Sequence, residues 1–579
     1  MSSRSVQYST NPLLASKTPI WRSQFIVAGI ALGFIGLVVR AAYVQVLDNN
    51  FFKKQGQVRF ERTLEIPANR GRVLDRNGLI LASSVPMPSI WASPEEMDTS
   101  NPKLKELALL LEIPYSEIRE KIKDPKRKHV WLKRQADMAL GKKIKDLGVR
   151  GVYTTMEYKR MYPEGEAAAH VVGFTNIENV GQEGVELAFN KHLAGKSGSR
   201  RVINNGHKQV VEGIGEEIPP EDGKDLQLSI DSKVQYFAYQ KLREAVIDNK
   251  AAAGSVVVLD AQTGDVLALA NYPSYSPEKR SNFNAVQMRN RALTDTFEPG
   301  STMKPFVIAL AMEKGMVKPD TPIDTSPGKL YMPGKTITDH HPLGILSVSE
   351  VIQKSSNVGT VKIAMKMTPK DIWEMYTQVG FGQKPQIAFP GAVAGRLRPY
   401  KTWRPLEQAT MSYGYGLSTS LFQLAQAYTV FARDGEVVPV SLIKREERVV
   451  GVRAISAQNA VAVRNMLNMV TTGPGGTAPK AQTMGYSVGG KTGTAHKQEG
   501  KGYAAKKYRG FFVGMAPIET PRIVVAVMID EPSNGRYFGG DVAAPVFSET
   551  VQQTLRMLGI QPDRAVKPQV ITQAEVESF

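Results

Sequence analysis

Cysteine is absent from the 579-residue sequence, and histidine occurs only seven times. The absence of cysteine excludes disulfide bonds, thiolate nucleophiles and zinc sites that depend on cysteine ligands. The only adjacent histidines, His340 and His341, lack partners at the spacing of metal ligands, so we interpret them as loop residues. The sequence therefore predicts neither a metal site nor a bound cofactor.

Acidic residues are fewer than basic residues, 55 against 73, which gives a net charge of +18. Such an excess is typical of proteins that meet nucleic acid, an anionic membrane surface or an acidic substrate. We find no nucleic-acid-binding module and no stripe of interleaved aromatic and basic residues, so no nucleic-acid partner is predicted. The charge favours a membrane neighbourhood, and the length favours about three or four domain-sized units.

The apolar run FIVAGIALGFIGLVV, which starts at Phe25, is the main candidate for a membrane segment. Its 15 residues would span about 22 Å as a helix, short of a ~30 Å membrane core, but the segment can extend to Leu47 if Arg40 reaches the headgroups. A cleaved signal peptide is the alternative, disfavoured by Arg40 beside the cleavage position and by the apolar residues after it. We predict a basic cytoplasmic tail over residues 1–24 and an uncleaved anchor over residues 25–47, with the rest of the chain outside the cytoplasm.

The part outside the membrane divides at the Gly-, Pro- and acid-rich segment GIGEEIPPEDGKD, which covers residues 213–225. Before it we predict a mixed α/β domain over residues 48–220, here called the pedestal, in which DRNG at 75–78 forms the turn of a hairpin. After it we predict a second domain over residues 221–563 and a polar C-terminal tail over residues 564–579.

The second domain has strand patterns near both of its ends and helical patterns between them. It begins with a strand at LQLSI, a helix at SKVQYFAYQKLREAVIDN and a hairpin at GSVVVLDAQTGDVLALAN, and it ends with strands at GYSVGGKTG, RGFFVGMA and RIVVAVMID. This order predicts an α+β fold in which distant parts of the chain close one antiparallel sheet with helices packed on it.

The segment GYSVGGKT, from Gly485 to Thr492, matches the phosphate-loop pattern G-x-x-x-x-G-K-[ST] of nucleotide-binding proteins. That loop needs a buried strand before it and a helix that starts at the Lys-Thr pair. Here TTGPGGTAPKAQTM precedes the segment and a glycine follows Thr492, so neither flank fits. We therefore predict no nucleotide site and interpret the segment as a strand.

A serine and a lysine suited to acyl transfer begin the apolar segment STMKPFVIALAMEKG. The i, i+3 spacing of Ser301 and Lys304 places a hydroxyl and an amine on one face of a helix. Because no histidine lies nearby in sequence and no G-x-S-x-G elbow is present, Lys304 is the natural base for Ser301. A lysine can act so if burial and a second cation lower its pKa, and Lys491 is a candidate for that cation.

A single S-x-x-K match is a weak signal, and Ser276 with Lys279 gives another match in a proline-rich loop. The order of three motifs is more specific. After Ser301 and Lys304 come Ser355 with Asn357 in IQKSSNVGT, and then the Lys-Thr-Gly segment at 491–493 in a predicted strand. Taken alone, the second motif would suit a helix cap and the third a turn, but together the three favour catalysis.

This ordered trio resembles the signature S-x-x-K, S-x-N, K-[ST]-G of penicillin-binding proteins and serine β-lactamases. The surroundings are similar to class B penicillin-binding proteins over nearly the whole chain, through the short tail and anchor and the segments RGRVLDRNG, RMYPEGEAAAHVVGF, FEPGSTMKPF, KSSNVG, YGYGLSTS and GGKTGTA. The resemblance implies a transpeptidase domain of the penicillin-binding and serine β-lactamase type, with a five-stranded antiparallel sheet and helices on it. An elongated mixed α/β pedestal and a single transmembrane helix would precede that domain.

The resemblance also implies a reaction. Ser301 would attack the carbonyl of the penultimate D-Ala in a D-Ala-D-Ala stem peptide of peptidoglycan, and Lys304 would take its proton. Ser355 would relay a proton to the leaving D-Ala, while Asn357 would hold Lys304 and the peptide amide. An amine from a second stem peptide would then resolve the acyl-enzyme into a cross-link, and β-lactams would acylate the same serine.

For substrate binding, the resemblance implies that Lys491 and Thr492 contact the terminal carboxylate and that Gly493 lets the substrate backbone lie against the strand. Thr494 would complete this binding segment for stem peptides and β-lactams. The backbone N–H groups of Ser301 and Thr494 would form the oxyanion hole, where donors stabilise the charge that develops on the carbonyl oxygen.

The resemblance further implies the bacterial inner membrane as location, with the N-terminus in the cytoplasm and the catalytic domain in the periplasm. It implies a role in septal cell-wall synthesis and contacts with a polytopic glycosyltransferase of the FtsW type and other division proteins. Two other functions remain open. A serine β-lactamase would need a base for the deacylating water, but the Glu-x-x-Leu-Asn loop of class A enzymes does not occur between Asn357 and Lys491. The intact trio disfavours a non-catalytic scaffold, and a β-lactam sensor would need a signalling domain inside, for which a tail of about 24 residues leaves no room.

Overall fold

The computed structural model describes residues 19–47, 61–204, 210–213, 216–279, 284–499 and 502–565. Most of the predicted cytoplasmic tail (1–18) and of the predicted C-terminal tail (566–579) lies outside the described residues. The chain divides into two compact units, one formed by Met1–Ala68 with Lys196–Glu221 and the other by Asn69–Gly195 with Asp222–Phe579.

The apolar N-terminal segment forms helix α1 (Ile20–Ala42), which continues as a π-helical turn over Tyr43–Leu47. It begins at Ile20 rather than at Phe25, directly after Pro19, whose fixed φ suits the residue before a helix. The stretch Ile20–Gln45 is long and apolar enough to cross a membrane, and none of its most apolar window is buried inside the protein. This helix is the predicted anchor.

The remaining elements are numbered along the chain. The strands are β1 (Glu61–Ile66), β2 (Val73–Leu74), β3 (Ile80–Ala92), β4 (Val130–Lys133), β5 (Val152–Met161), β6 (Gly198–Asn204), β7 (Val210–Gly213), β8 (Leu226–Gln227), β9 (Ala253–Asp260), β10 (Val266–Tyr272), β11 (Pro322–Asp324), β12 (Lys329–Met332), β13 (Lys335–Thr338), β14 (Ile345–Ser347), β15 (Glu436–Val437), β16 (Val452–Arg453), β17 (Gly489–Glu499), β18 (Gly502–Ala516) and β19 (Ile523–Asp530). The helices after α1 are α2 (Lys103–Leu111), α3 (Tyr115–Lys121), α4 (Met138–Leu147), α5 (Gly165–Val172), α6 (Gly184–Ala188), α7 (Asn190–Leu193), α8 (Ser232–Asp248), α9 (Ala285–Met288), α10 (Arg291–Thr294), α11 (Lys304–Glu313), α12 (Val348–Gln353), α13 (Asn357–Ala364), α14 (Pro369–Gln378), α15 (Pro405–Ser412), α16 (Leu421–Ala432), α17 (Ala457–Thr472), α18 (Gly539–Val542) and α19 (Ala544–Met557).

In the first unit, β1, β6 and β7 form a three-stranded antiparallel sheet in the order β1-β6-β7. Isolated bridges between Lys196 and Glu221 and between Ser199 and Ile218 tie the returning chain to the region of β6. Part of the predicted linker therefore forms backbone hydrogen bonds with the region of β6, in addition to connecting the two domains.

In the second unit, the pedestal strands form a sheet in the order β4-β3-β2-β8, and β5 pairs with β3. The predicted hairpin at 75–78 is confirmed, because β2 and β3 pair antiparallel across it. The predicted strand LQLSI is only partly correct. It shrinks to β8, which pairs in parallel with β2 of the pedestal instead of joining the sheet of the second domain.

A separate hydrophobic cluster covers one face of the pedestal sheet at β3 and β4. Buried side chains of the strands, among them Ile90 and Leu132, pack with Leu104 and Leu107 of α2 and Ile144 of α4. This cluster gives the surrounding part of the pedestal a core of its own.

The predicted antiparallel sheet of the second domain is confirmed as a five-stranded sheet in the order β10-β9-β19-β18-β17. All four pairings are antiparallel, and the pairing of β9 with β19 joins an early hairpin to the late strands. Every residue of β9 and β19 is buried, which means that both faces of the sheet centre are covered. Helices α8, α16 and α19 pack on this sheet.

A buried ion triad links three separate segments of the second unit. Glu186 lies between two arginines, with 2.7 Å from one carboxylate oxygen to Nε of Arg70 and 2.7 Å from the other to Nε of Arg160. All three side chains are at most 2% exposed. Arg160 also donates to the carbonyl oxygen of Gly71 at 2.8 Å. Burial of two cations is tolerated because one carboxylate serves both.

We expect Glu186→Ala to lower the free energy of unfolding by about 3–5 kcal/mol, because it leaves two arginines buried without their carboxylate. Urea unfolding of the purified protein would measure this loss. Glu374→Ala, which removes the acid of an exposed pair with Lys370 on α14, is the matched control and should change stability far less. Equal effects of the two variants would show that the triad does not stabilise the fold.

Candidate active site

The serine of the first motif stands in a short turn rather than in the α-helix that was predicted. Ser301 lies in a 3-10 helical turn, Gly300–Met303, and the α-helix α11 starts at Lys304. Pro305 occupies the first turn of α11, where a missing N–H costs nothing. The serine and lysine are therefore placed at the junction of two helical types, with Ser301 partly exposed and Lys304 fully buried.

The turn that carries Ser301 rests on the YGYG loop after α15. The N–H of Gly300 donates to the carbonyl oxygen of Gly414 at 3.1 Å. Gly414 has a φ of +86°, and a Cβ there would lie 2.1 Å from the carbonyl oxygen of Gly300. Only glycine permits this backbone contact. The loop thereby fixes the position of the serine turn.

Lys304 reaches the second motif. Its Nζ donates to the side-chain oxygen of Ser355 at 3.1 Å and to the carbonyl oxygen of the same residue at 2.5 Å. Burial lowers the pKa of Lys304 well below its usual value, the charge of Lys491 lowers it further, and Asp339 opposes the shift. Burial also lowers the pKa of Lys491, to about 7. Within the described residues neither buried lysine contacts a carboxylate, which favours a neutral amine in this site.

Ser355 adopts a left-handed backbone conformation with a φ of +59°. Such a φ is uncommon for residues other than glycine and asparagine, and it persists only where surrounding contacts enforce it. Here the next residue, Ser356, caps α13 by accepting from the N–H of Gly359 at 2.9 Å. The kinked backbone at Ser355 thus turns its carbonyl and hydroxyl oxygens towards Lys304.

Asp339 was not predicted from the sequence, although it organises the second motif. Its carboxylate accepts hydrogen bonds from the hydroxyl of Ser356 at 2.7 Å and from the N–H groups of Asn357 at 2.6 Å and Val358 at 3.0 Å. It therefore caps α13 from the loop after β13. No local pattern indicates such a cap, because a residue that caps its own helix stands directly before it.

Asn357 points in a different direction from the one expected. Its side-chain amide donates to the carbonyl oxygen of Thr338 at 2.9 Å. Within the described part of the chain, the hydrogen bonds of the Lys304 amine go to Ser355 and not to Asn357. The second motif thus meets Lys304 through Ser355.

We expect Asp339→Ala to slow acylation by benzylpenicillin and to lower the free energy of unfolding by about 1.5–3 kcal/mol, since it removes hydrogen bonds to a charged acceptor. Stopped-flow or quenched-flow labelling and urea unfolding would measure the two effects. Glu350→Ala, which breaks the capping box of α12, is the control. It should lower stability by about 0.5–2 kcal/mol and leave the acylation rate unchanged. If both variants slowed acylation equally, the loss of stability alone would explain the effect of Asp339→Ala.

The third motif lies in β17. Lys491 is fully buried, and its Nζ donates to the hydroxyl oxygen of Thr492 at 3.3 Å. The same hydroxyl is 3.0 Å from the hydroxyl of Thr477, a residue not predicted from the sequence. The hydroxyl of Thr494 accepts from the N–H of Gly539 at 3.2 Å. These contacts hold the hydroxyl groups of β17 in fixed positions.

Gly493 is required by packing within the sheet. A Cβ at this position would lie 1.8 Å from the ring of Phe511 on the paired strand β18. The strand also passes close to the serine turn, since a Cβ at Gly300 would lie 3.5 Å from the carbonyl oxygen of Thr494. In the described residues β17 is the last strand of its sheet, so its outer edge is available to an extended ligand.

Glu298 is another residue that the sequence did not single out. One of its carboxylate oxygens accepts from the N–H of Gly416 at 2.9 Å and the other from the hydroxyl of Tyr503 at 2.9 Å. Glu298 is 7% exposed and precedes the serine turn. It connects that turn with the YGYG loop and with the start of β18.

The phosphate-loop alternative is excluded by these positions. Lys491 and Thr492 lie inside β17, whereas a phosphate loop needs them at the start of a helix. In the described ranges no group of three or more His, Asp or Glu residues could hold a metal ion. The site contains a serine, two lysines of lowered pKa and an open strand edge. These groups are suited to acyl transfer on a peptide.

Two family models match the chain. Residues 254–552 match the penicillin-binding protein transpeptidase domain, and residues 65–228 match the penicillin-binding protein dimerisation domain. A probable peptidoglycan D,D-transpeptidase PenA of Neisseria meningitidis is 42% identical over 94% of this chain and 94% of its own length. The peptidoglycan D,D-transpeptidase FtsI of Escherichia coli K12 is 37% identical over 94% and 93%.

Solved structures agree with these matches. The transpeptidase domain of penicillin-binding protein 3 from Burkholderia pseudomallei is 53% identical, covers 58% of this chain and 98% of its own, and has a TM-score of 0.54. A peptidoglycan synthetase from Bifidobacterium adolescentis, 24% identical with a TM-score of 0.69 over 88% of this chain and 98% of its own, shows the same fold. The chain belongs to the penicillin-binding protein transpeptidase family.

Proposed function

We propose that this protein is a peptidoglycan D,D-transpeptidase that uses Ser301 as its nucleophile and serves septal cell-wall synthesis. The observation that carries the proposal is the buried amine of Lys304, which contacts Ser355 and has a pKa lowered by burial and by Lys491. Because its pKa is lowered, this amine becomes neutral at a lower pH than an exposed lysine does, and a neutral amine can take a proton from a serine hydroxyl. The relatives named PenA and FtsI support the substrate class.

In the first half of the reaction, the hydroxyl oxygen of Ser301 attacks the carbonyl carbon of the penultimate D-Ala, and Lys304 accepts the hydroxyl proton. The backbone N–H groups of Ser301 and Thr494 donate to the oxyanion that forms. The proton moves from Lys304 through Ser355 to the nitrogen of the leaving D-Ala. The contact of 3.1 Å between Lys304 and Ser355 supports this route. Asn357 binds the peptide amide.

The substrate binds along the outer edge of β17. Lys491 and Thr492 bind the terminal carboxylate of the D-Ala-D-Ala peptide or the carboxylate of a β-lactam. Thr477 and Lys491 both contact the Thr492 hydroxyl and fix its orientation. Gly493 and Thr494 leave the strand edge open to the peptide backbone. In the second half of the reaction, an amine nitrogen of another stem peptide attacks the acyl carbonyl carbon and forms the amide of the cross-link. The ester bond to Ser301 breaks, and a proton of the amine passes to the Ser301 oxygen.

The direct test is covalent labelling. Incubation with benzylpenicillin should add one drug mass to the protein, and peptide mapping should place it on Ser301. Ser301→Ala should take up no drug while retaining its thermal unfolding temperature. Modification of another serine in the wild-type protein would contradict the assignment.

The domain arrangement follows from the same proposal. Residues 1–24 form a cytoplasmic tail, residues 25–47 the anchor, residues 48–220 the pedestal, residues 221–563 the transpeptidase domain and residues 564–579 a polar tail. The protein is anchored in the inner membrane by its apolar N-terminal helix, with the catalytic domain in the periplasm. The pedestal contacts a polytopic glycosyltransferase of the FtsW type and other division proteins.

We expect the anchor to be retained, because the apolar helix continues beyond Arg40 to Ala42 and then through a π-helical turn. N-terminal sequencing of the protein isolated from the inner membrane should give the start of the encoded chain, with or without its first methionine. A mature N-terminus at Ala41 or Ala42 would show instead that the segment is a cleaved signal peptide.

A further inference from the structure

Three aromatic residues stand side by side on one face of the pedestal sheet. Trp91 of β3 is directly opposite Trp131 of β4 on one side and Tyr153 of β5 on the other. The neighbours of Trp91 along β3, Ile90 and Ala92, are completely buried in the core that the pedestal helices share. Side chains alternate between the two faces of a strand. The three rings, here called the aromatic row, therefore lie on the face opposite that core.

A histidine and an arginine extend the aromatic row. The ring of His129 stacks on Trp91, with 4.5 Å between centroids and 29° between planes, and meets Trp131 edge-on at 4.5 Å. The guanidinium carbon of Arg134 lies 4.9 Å from the centre of the Trp131 ring. His129 is exposed, and the three rings of the row are partly exposed. Tryptophan, tyrosine and arginine at a surface are typical of recognition sites.

The part of the pedestal that includes Trp131 is strongly basic. Residues 101–150 contain 14 Lys and Arg against 7 Asp and Glu, a net charge of +7 within a chain of +18. In the described part of the chain, the exposed side chains of Lys126 and Lys128 have no ion-pair partner. These two lysines lie in the turn that leads directly into His129 and β4. Glu157 and Glu178 pair Arg134 beside the row, but the two lysines keep their charge. The surface thus combines partly exposed aromatic rings with unpaired positive charge, which is complementary to an anionic partner.

We propose that the aromatic row and its flanking lysines bind a glycan strand of peptidoglycan. The inference rests on the proposed function, which makes this polymer the surroundings of the protein. The C–H face of a pyranose ring packs on an aromatic ring, while the sugar hydroxyl groups remain in water. The terminal carboxylates of stem peptides give the polymer the negative charge that Lys126 and Lys128 attract.

A glycan strand suits this surface better than a membrane does. Aromatic side chains that enter a bilayer project from an amphipathic helix or a loop, with their rings free to sink into the headgroup layer. Here Trp91 and Tyr153 are cross-strand neighbours with 4.7 Å between their ring centroids, and His129 lies between Trp91 and Trp131. These rings are held against each other on a rigid sheet. Because His129 and Tyr153 both pack against Trp91, a sugar ring can stack only on the rings at the two ends of the row, Trp131 and Tyr153. Rings fixed in this way are not free to enter a bilayer.

Co-sedimentation of the full-length protein in detergent with purified peptidoglycan sacculi tests the proposal. We expect Trp131→Ala and the double variant Lys126→Glu/Lys128→Glu each to weaken binding to sacculi about tenfold. The double variant Lys384→Glu/Lys401→Glu makes the same charge change at exposed lysines outside the pedestal and should bind as the wild type does. On insoluble chitin, a polymer of similar sugar rings that carries no carboxylates, Trp131→Ala should still weaken binding, whereas the Lys126/Lys128 variant should not.

Unchanged sedimentation of the pedestal variants would overturn the proposal, as would equal loss in the Lys384/Lys401 control. If the pedestal variants still bound sacculi but bound anionic phospholipid vesicles more weakly than the wild type, the surface would be a membrane-binding site instead. All variants should still be labelled by penicillin on Ser301. Labelling tests the proposed function separately from the glycan site. If the wild-type protein were not labelled, the proposed function itself would be rejected.

Discussion

Replacing Lys304 with alanine is expected to lower the second-order rate constant of acylation by benzylpenicillin by about 10²- to 10⁴-fold, the usual contribution of a general base. Lys304 is fully buried and contacts Ser355, so no solvent molecule can readily replace its amine. Mass spectrometry of samples quenched at increasing times would give the rate. The variant should keep its fold, since a neutral methyl side chain in a buried site carries no desolvation cost.

His496→Ala is the control for this experiment. His496 lies on β17 near the third motif and packs on Tyr508, with 4.6 Å between ring centroids. If a histidine acted as the base, His496→Ala would lose labelling and Lys304→Ala would keep it. We expect the opposite pattern.

The two lysines also set the pH dependence. Lys304 must be neutral to accept a proton, so acylation should increase as pH rises through its lowered pKa. Lys491 must be charged to attract a carboxylate, and its pKa is lowered to about 7 by burial. The second-order rate constant, which reports the free enzyme, should therefore fall as pH increases above this value. A rate that kept increasing to pH 10 would contradict the role of Lys491.

The penicilloyl-enzyme is expected to outlast its own formation by a wide margin. Hydrolysis needs a base that activates water beside the acyl carbonyl, and without it the step loses about 10²- to 10⁴-fold in rate. Glu298 and Asp339, the two carboxylates near the site that are discussed above, already accept hydrogen bonds from other groups. Glu298 accepts from Gly416 and Tyr503, and Asp339 caps α13. Neither is free to serve as that base.

This expectation separates a transpeptidase from a β-lactamase. After excess benzylpenicillin is removed, intact-mass measurements on the full-length protein should show the adduct for many minutes to hours. Ser301→Ala gives the background without acylation. Loss of the adduct within seconds, together with steady drug turnover, would show that the protein is a hydrolase and would reject the transpeptidase proposal.

Local patterns predicted much of the fold. The Asn-Gly turn at 75–78, the helix α8 and the late strands β18 and β19 follow from turn chemistry and from the periodicity of apolar residues, which depend on neighbours in sequence. The early hairpin and the late strands were also sufficient to predict one shared antiparallel sheet. The order of the three motifs singled out Lys304 and Ser355, which the structure places in contact, while the catalytic roles stay predictions.

Contacts between distant segments were not predictable in the same way. β8 continues an alternating apolar pattern, but its partner is β2, far away in the chain. β17 starts at Gly489 and not at Gly485, because Gly485 has a φ of +83° and belongs to a turn closed by a bridge between Thr483 and Tyr486. Asp339, Glu298 and Thr477 act through hydrogen bonds across loops, and no spacing rule connects them with their partners.

The pairing of β9 with β19 has a consequence for how the enzyme becomes active. Ile523 is opposite Asp260, so the centre of the sheet unites the beginning and the end of the catalytic domain. Contacts of such long sequence separation form late in folding, after the costly closure of a large loop. A chain still being synthesised therefore holds Ser301 and Lys304 without the strand that carries Lys491. A complete site forms only after nearly the whole domain has been synthesised, and a truncated chain that lacks β19 would remain inert.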